Sequence, residues 1–241
     1  MPLILAAFLG QPYFAIIVLI LLALICVELA GILSDSQSAK RALSLLFIAT
    51  SLSGAAYLYF PSAFLAMAAA GIMVSALVTF KSKGGFVAVF ASLAMLCLAS
   101  MALLVTADNT VGLLVSVACI IISCDVGAYI VGRIIGGPKL APAISPGKTI
   151  SGALGGLASA MIVASLLSFY ITALSAHAVI SGLIIGVLSQ IGDLSESHFK
   201  RRIGIKDSGS IIPGHGGFLD RFDGYLLVMP LIAALMLFRG F

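Results

Sequence analysis

Residues 177–202 read HAVISGLIIGVLSQIGDLSESHFKRR: an apolar run that turns polar at Gln190 and ends in the cations Lys200, Arg201 and Arg202. A bilayer's hydrocarbon core, about 30 Å thick, is crossed by about 20 helical residues. Lipid offers no hydrogen bonds to exposed backbone, so a segment of this kind spans as a helix. On that helix Gln190, Asp193, Glu196, Ser197 and Lys200 recur at three- and four-residue spacing and form one polar stripe. Asp193 then lies about 10 Å below Lys200, just under the headgroups.

The rest of the chain repeats the apolar half of this segment. Of its 241 residues 61% are hydrophobic and 9% charged, with a mean hydropathy of +1.23. A soluble domain has about 45–50% apolar and about 25% charged residues, and one core of this size cannot hide so much apolar surface from water. The pattern predicts an all-α, polytopic membrane bundle of eight spans (range seven to nine), near 6–33, 42–60, 62–80, 86–106, 111–132, 150–173, 177–198 and 223–241. Residues 1–106 are expected to hold the N-terminal spans, and 107–241 the C-terminal spans with the polar loops. The first apolar run lacks a preceding basic flank and is too long for a signal core, so no cleavable signal is expected. The four cysteines lie inside apolar runs without CxxC spacing and read as small buried hydrophobes.

Charge placement orients the bundle. The net charge of +4 is too small for a nucleic-acid footprint, so no nucleic-acid partner is expected. Twelve of the thirteen Lys and Arg residues fall in alternate loops, Arg239 being the exception. The positive-inside rule puts those loops in the cytoplasm and both termini outside. The two long loops, 136–148 and 200–221, therefore meet cytoplasmic metabolites.

Carboxylates mark the chemistry. Ionisable groups within spans are costly and default to function. Besides Asp193, the last span opens with Asp220 and Asp223 at i, i+3; helix capping explains one of them, not readily all three. If the last two spans are antiparallel neighbours, the three converge at one depth. Such oxygen ligands suit a hard divalent cation, Mg²⁺, which keeps positions for substrate phosphates. The loop with Arg201, Lys206, Asp207 and the glycines around His215, Gly216 and Gly217 reads as a phosphate wrap, with Arg221 beside it; plain headgroup anchoring competes with that reading. Asp125, Tyr129 and Arg133, four apart, offer a second substrate-facing wall or a structural network. Glu28 reads as a hydrogen-bonded interhelical contact, or less readily as a group touching an ion or lipid. The GxxxG pairs Gly132/Gly136, Gly152/Gly156 and Gly182/Gly186 read as close helix crossings.

One stretch is specific. Ser197-His-Phe-Lys200-Arg201, then four residues, then Lys206-Asp207-Ser-Gly-Ser-Ile-Ile-Pro213-Gly-His215-Gly216-Gly217-Phe-Leu-Asp220-Arg221-Phe-Asp223 resembles, over 27 consecutive positions, the signature of phosphatidate cytidylyltransferases. Asp125-Val-Gly-Ala-Tyr129-Ile-Val-Gly132-Arg133 and Ser145-Pro146-Gly-Lys148-Thr149 are similar to further family stretches. The sequence departs at Gly147 and Ser151, where the family usually has lysine and glutamate, and it is somewhat short for the family. The resemblance implies transfer of CMP from CTP to phosphatidic acid, giving CDP-diacylglycerol and pyrophosphate. It assigns Asp193, Asp220 and Asp223 to metal and catalysis, Lys200, Arg201 and Lys206 to catalysis, and Asp125, Tyr129, Arg133, Ser145, Lys148, Thr149, Glu196, Ser197, Asp207, His215, Gly216, Gly217 and Arg221 to substrates. It further implies Mg²⁺ with K⁺ as a second cation, a homodimer among membrane lipids, and a bacterial inner membrane with the site on the cytoplasmic side. A CTP-dependent transferase acting on another membrane lipid phosphate or alcohol would reuse the same residues. A transporter would instead place its acids near the midplane.

Overall fold

The computed structural model describes residues 13–33, 43–45, 47–49, 73, 84–107, 110–170, 177–209 and 217–239. In chain order these form α1 (Tyr13–Leu33), α2 (Gly85–Thr106), α3 (Val111–Ile134), β1 (Lys139–Ala141), β2 (Ser145–Thr149), α4 (Ile150–Leu167), α5 (Ala178–Arg202), two 3-10 turns (Leu219–Arg221 and Asp223–Tyr225) and α6 (Val228–Arg239). Among the described residues five helices, α1 to α5, are long and apolar enough to cross a bilayer. The chain is a multi-pass, all-α membrane protein, with one small hairpin among the described residues. The expected spans 42–60 and 62–80 fall almost wholly outside the described residues.

Two helix ends differ from expectation for physical reasons. Helix α5 runs on to Arg202, so Lys200, Arg201 and Arg202 form its last turn, where cations complement the helix dipole. The last helix starts at Val228 rather than 223. Before it, Phe222 N–H donates to the Leu219 carbonyl, and Tyr225 N–H to that of Phe222, three residues apart in each case, so the chain turns with the tighter 3-10 period.

The chain gathers into two compact units, Met1–Val111 with Phe199–Phe241, and Gly112–His198. In the first, α1 and α6 both pack on α2. Fifteen of the 22 residues of α2 are buried, as befits a helix enclosed by others. Phe90 on α2 stacks on Phe199 with ring centroids 4.1 Å apart.

In the second unit small residues set the packing. The buried positions of α4 are Gly152, Gly156, Ala160 and Ala164, a stripe with period four, while Leu154, Ile162 and Leu166 are exposed as lipid-facing side chains. A Cβ at Gly152 would lie 2.7 Å from the Ala128 carbonyl, and one at Gly156 the same distance from that of Cys124, so α3 lies backbone-to-backbone on α4. Gly182 on α5 meets Ala160 and Ala164 in the same manner. Gln190 completes the seam, donating from Nε2 to the Ala153 carbonyl at 2.9 Å. Helix α3 stops where Gly136 and Gly137 take φ of 64° and 102°. The chain then returns as the antiparallel β1–β2 hairpin, where sequence had suggested only a loop.

Candidate active site

The hairpin delivers residues to the head of α4. Thr149 leaves β2 in extended conformation and caps α4, its hydroxyl accepting the Gly152 N–H at 3.1 Å. Ser151 Oγ donates to the Gly136 carbonyl, tying the start of α4 to the end of α3. Lys148, one residue before the cap, extends its ammonium to the Asp193 carboxylate on α5. Ser197, one turn further along α5, approaches the other oxygen of Asp193 at 3.5 Å.

Lys148, Thr149 and Asp193 border a cavity of about 470 Å³ inside the Gly112–His198 unit. Asp125, Tyr129 and Arg133 line it from α3, Lys148 and Thr149 from the hairpin, and Gln190 and Asp193 from α5. The α3 stripe thus lines a cavity. Arg133 Nη1 donates to Tyr129 Oη at 2.6 Å, and its guanidinium carbon stands 5.9 Å from that ring's centroid. Two carboxylates and two cations on one concave wall can take up a phosphate-bearing, cation-carrying ligand. Ser145 pairs with Ala141 in the hairpin. Glu196 is buried at 1% exposure and is not among the described residues lining the cavity.

The other unit holds the signature loop. Asp220 accepts Lys200 Nζ at 2.8 Å on Oδ1, and the Ser208 and Gly217 N–H groups at 3.0 and 2.9 Å on Oδ2. Ser208 N–H also lies 3.2 Å from Oδ1, so it is shared between the two oxygens and both face donors. Asp220 in this arrangement clamps the two ends of its own loop, and a cation bound to it would take the place of the Lys200 ammonium. Asp223 Oδ1 accepts the Gly224 N–H at 2.7 Å. Arg201, Lys206, Asp207 and Arg221 are exposed. His215 and Gly216 lie outside the described residues.

Asp193 belongs to one unit, Asp220 and Asp223 to the other. Among the described residues no group of three His, Cys, Asp or Glu side chains is placed to hold a metal. The oxygen-donor chemistry of Asp125 and Asp193 on one cavity wall fits a hard divalent cation all the same.

Two participants were absent from the sequence-based site. Gln190 lines the cavity, and its place on the polar stripe was the available signal. Glu28 on α1 is 6% exposed and accepts the Leu219 N–H at 2.9 Å, one residue before Asp220. Its signal was a carboxylate inside a span.

Comparison with known proteins supplies a family and named relatives. The chain is 48% identical over 115 residues to a phosphatidate cytidylyltransferase of Staphylococcus haemolyticus, covering 47% of this chain and 44% of that protein. The corresponding protein of Staphylococcus aureus is 46% identical over 115 residues, with the same coverage. That of Brucella suis is 49% identical over 111 residues, covering 46% and 41%. The chain thus spans under half the length of the named relatives it matches. A family model described as the cytidylyltransferase family matches residues 1–239, and on that match the chain belongs to the cytidylyltransferase family.

Proposed function

We propose that the protein transfers CMP from CTP to phosphatidic acid, releasing pyrophosphate and leaving CDP-diacylglycerol in the membrane. The observation that carries the reading is the cavity wall on which Lys148 and Arg133 stand beside Asp125 and Asp193. Cations there receive phosphate oxygens. Family membership and the names of the relatives support the nucleotide and lipid.

The lipid phosphate oxygen attacks the α-phosphorus of CTP in line, and the bond from that phosphorus to the bridging oxygen of pyrophosphate breaks. A phosphomonoester is largely ionised near neutral pH, its second pKa being about 6, so the protein need supply no strong base. Lys148 and Arg133 hold phosphate oxygens and offset the charge that gathers on the leaving group. Mg²⁺, which Asp125 and Asp193 would hold on the cavity wall, would supply further neutralisation of the triphosphate. Lys200 and the exposed Arg201 and Lys206 would add positive potential at the end of α5.

The site serves a lipid that arrives sideways through the bilayer and a nucleotide that arrives from the cytoplasm. The decisive assay is pyrophosphate release by the purified protein in mixed micelles of detergent and phosphatidate. Release that requires CTP, Mg²⁺ and phosphatidate together, and that is lost in Asp193→Asn, is the expected result. Release from the wild type without phosphatidate, or full activity in the variant, overturns the proposal.

A further inference from the structure

We infer that Glu28, on the first described helix, is a positioning residue that holds the signature loop in place; the inference rests on the activity proposed above. Glu28 lies 191 residues from Leu219, whose buried N–H it accepts at 2.9 Å. Leu219 opens a 3-10 turn, and the first N–H groups of a helical turn have no partner within it. An acceptor must come from elsewhere, and α1 brings it.

The loop backbone is pressed onto the same carboxylate at two further points. A Cβ at Gly209 would stand 2.5 Å from Glu28 Oε1, and one at Gly217 would stand 2.7 and 2.8 Å from its two oxygens. A side chain at either position would have to displace the end of Glu28, and at Gly217 the Ser208 hydroxyl as well. The Ser208 and Gly217 N–H groups, which neighbour these contacts, are the ones that Asp220 gathers from within the loop. Two carboxylates therefore fix one loop, Asp220 from inside and Glu28 from α1. Packing α1 against α2 requires only an apolar side chain at position 28, whereas a carboxylate in a span is costly to bury. Its Oε2 meets that cost through the Leu219 amide, while Oε1 lies buried with no hydrogen-bond partner among the described residues.

The test uses the full chain in detergent as wild type, Glu28→Ala and Glu28→Gln, with two readouts. Hydrogen–deuterium exchange is followed in peptides covering 217–225 and in peptides from α2, and kcat and KM for CTP are measured with phosphatidate. Alanine removes the acceptor, whereas glutamine keeps an oxygen for the Leu219 N–H. Glu28→Ala is expected to speed exchange in 217–225 by roughly tenfold or more, and to lower kcat by roughly 10–100-fold with little change in KM, the scale of a lost hydrogen bond to a charged group. Exchange in α2 stays as in the wild type, and glutamine restores most of both effects. Unchanged exchange in 217–225, a rise equally large in α2, or a glutamine variant no better than alanine overturns the inference. A wild type that releases no pyrophosphate defeats the proposed activity instead, and the exchange readout still decides whether Glu28 holds the loop.

Discussion

Replacing Lys148 by methionine removes one charge from the cavity wall while keeping a side chain of similar length and apolar stem. The Lys148 and Asp193 side chains are each 27% exposed, so water screens the pair and its contribution to folding is at most about 1 kcal/mol. Catalysis weighs the ammonium differently. A charge-assisted hydrogen bond to a phosphate is worth about 1.5–3 kcal/mol, which at 1.36 kcal/mol per tenfold is roughly a 10–150-fold loss in kcat/KM. The expected outcome is a folded protein that has lost most of its activity, with Lys148→Arg retaining more than Lys148→Met. The assay is pyrophosphate release at CTP well below KM, run beside thermal unfolding in the same detergent. Activity within about threefold of wild type, less than 1 kcal/mol of transition-state binding, would refute the role given to Lys148. An activity loss matched by a collapse in unfolding temperature would show the lysine to be structural.

Three further outcomes are expected. Gly147→Lys, which restores the family's usual residue, meets no atom within 4 Å of its Cβ; it should fold normally and lower KM for CTP by roughly two- to fivefold, the scale of an exposed ionic contact. Gly156→Val forces a side chain to within 2.7 Å of the Cys124 carbonyl and should lower stability by about 1–3 kcal/mol, measured as an earlier unfolding midpoint on titration with a denaturing detergent. Asp220→Asn turns an NH₂ toward groups that are all donors, at about 1–3 kcal/mol; limited proteolysis should then cut the chain faster between α5 and the first 3-10 turn, and pyrophosphate release should fall.

How far the sequence spoke depended on the range of the interaction. Local period was legible: the small residues at 152 and 156 announced a close crossing, and the stripe from Gln190 to Lys200 announced a polar helix face. The Asp125–Tyr129–Arg133 stripe was legible for the same reason, since residues four apart share a face whatever surrounds them. Its internal pairing was not, because Arg133 bonds Tyr129 rather than Asp125, a choice made by rotamers and not by spacing. The hairpin was hidden because Pro146 and Gly147 read as a loop, and its strands of three and five residues are too short to show a period. The start of the last helix was misread by five residues, since an apolar run looks the same whether its first turns are 3-10 or α. The link from Glu28 to Leu219 had no local sign at all. A charge in a span announces that a partner exists without naming it.

That link also has a history within each molecule. A ribosome adding about 5–20 residues per second needs roughly 10–40 s to pass from codon 28 to codon 219. The first described helix enters the bilayer long before the amide that its carboxylate will bind has been synthesised. For that interval Glu28 must be sheltered by water drawn in at the interface or by an insertion factor. Biogenesis of this protein is thus exposed at its beginning to a debt settled only at its end, and inserted chains arrested before residue 219 should be preferred substrates for membrane quality-control proteases.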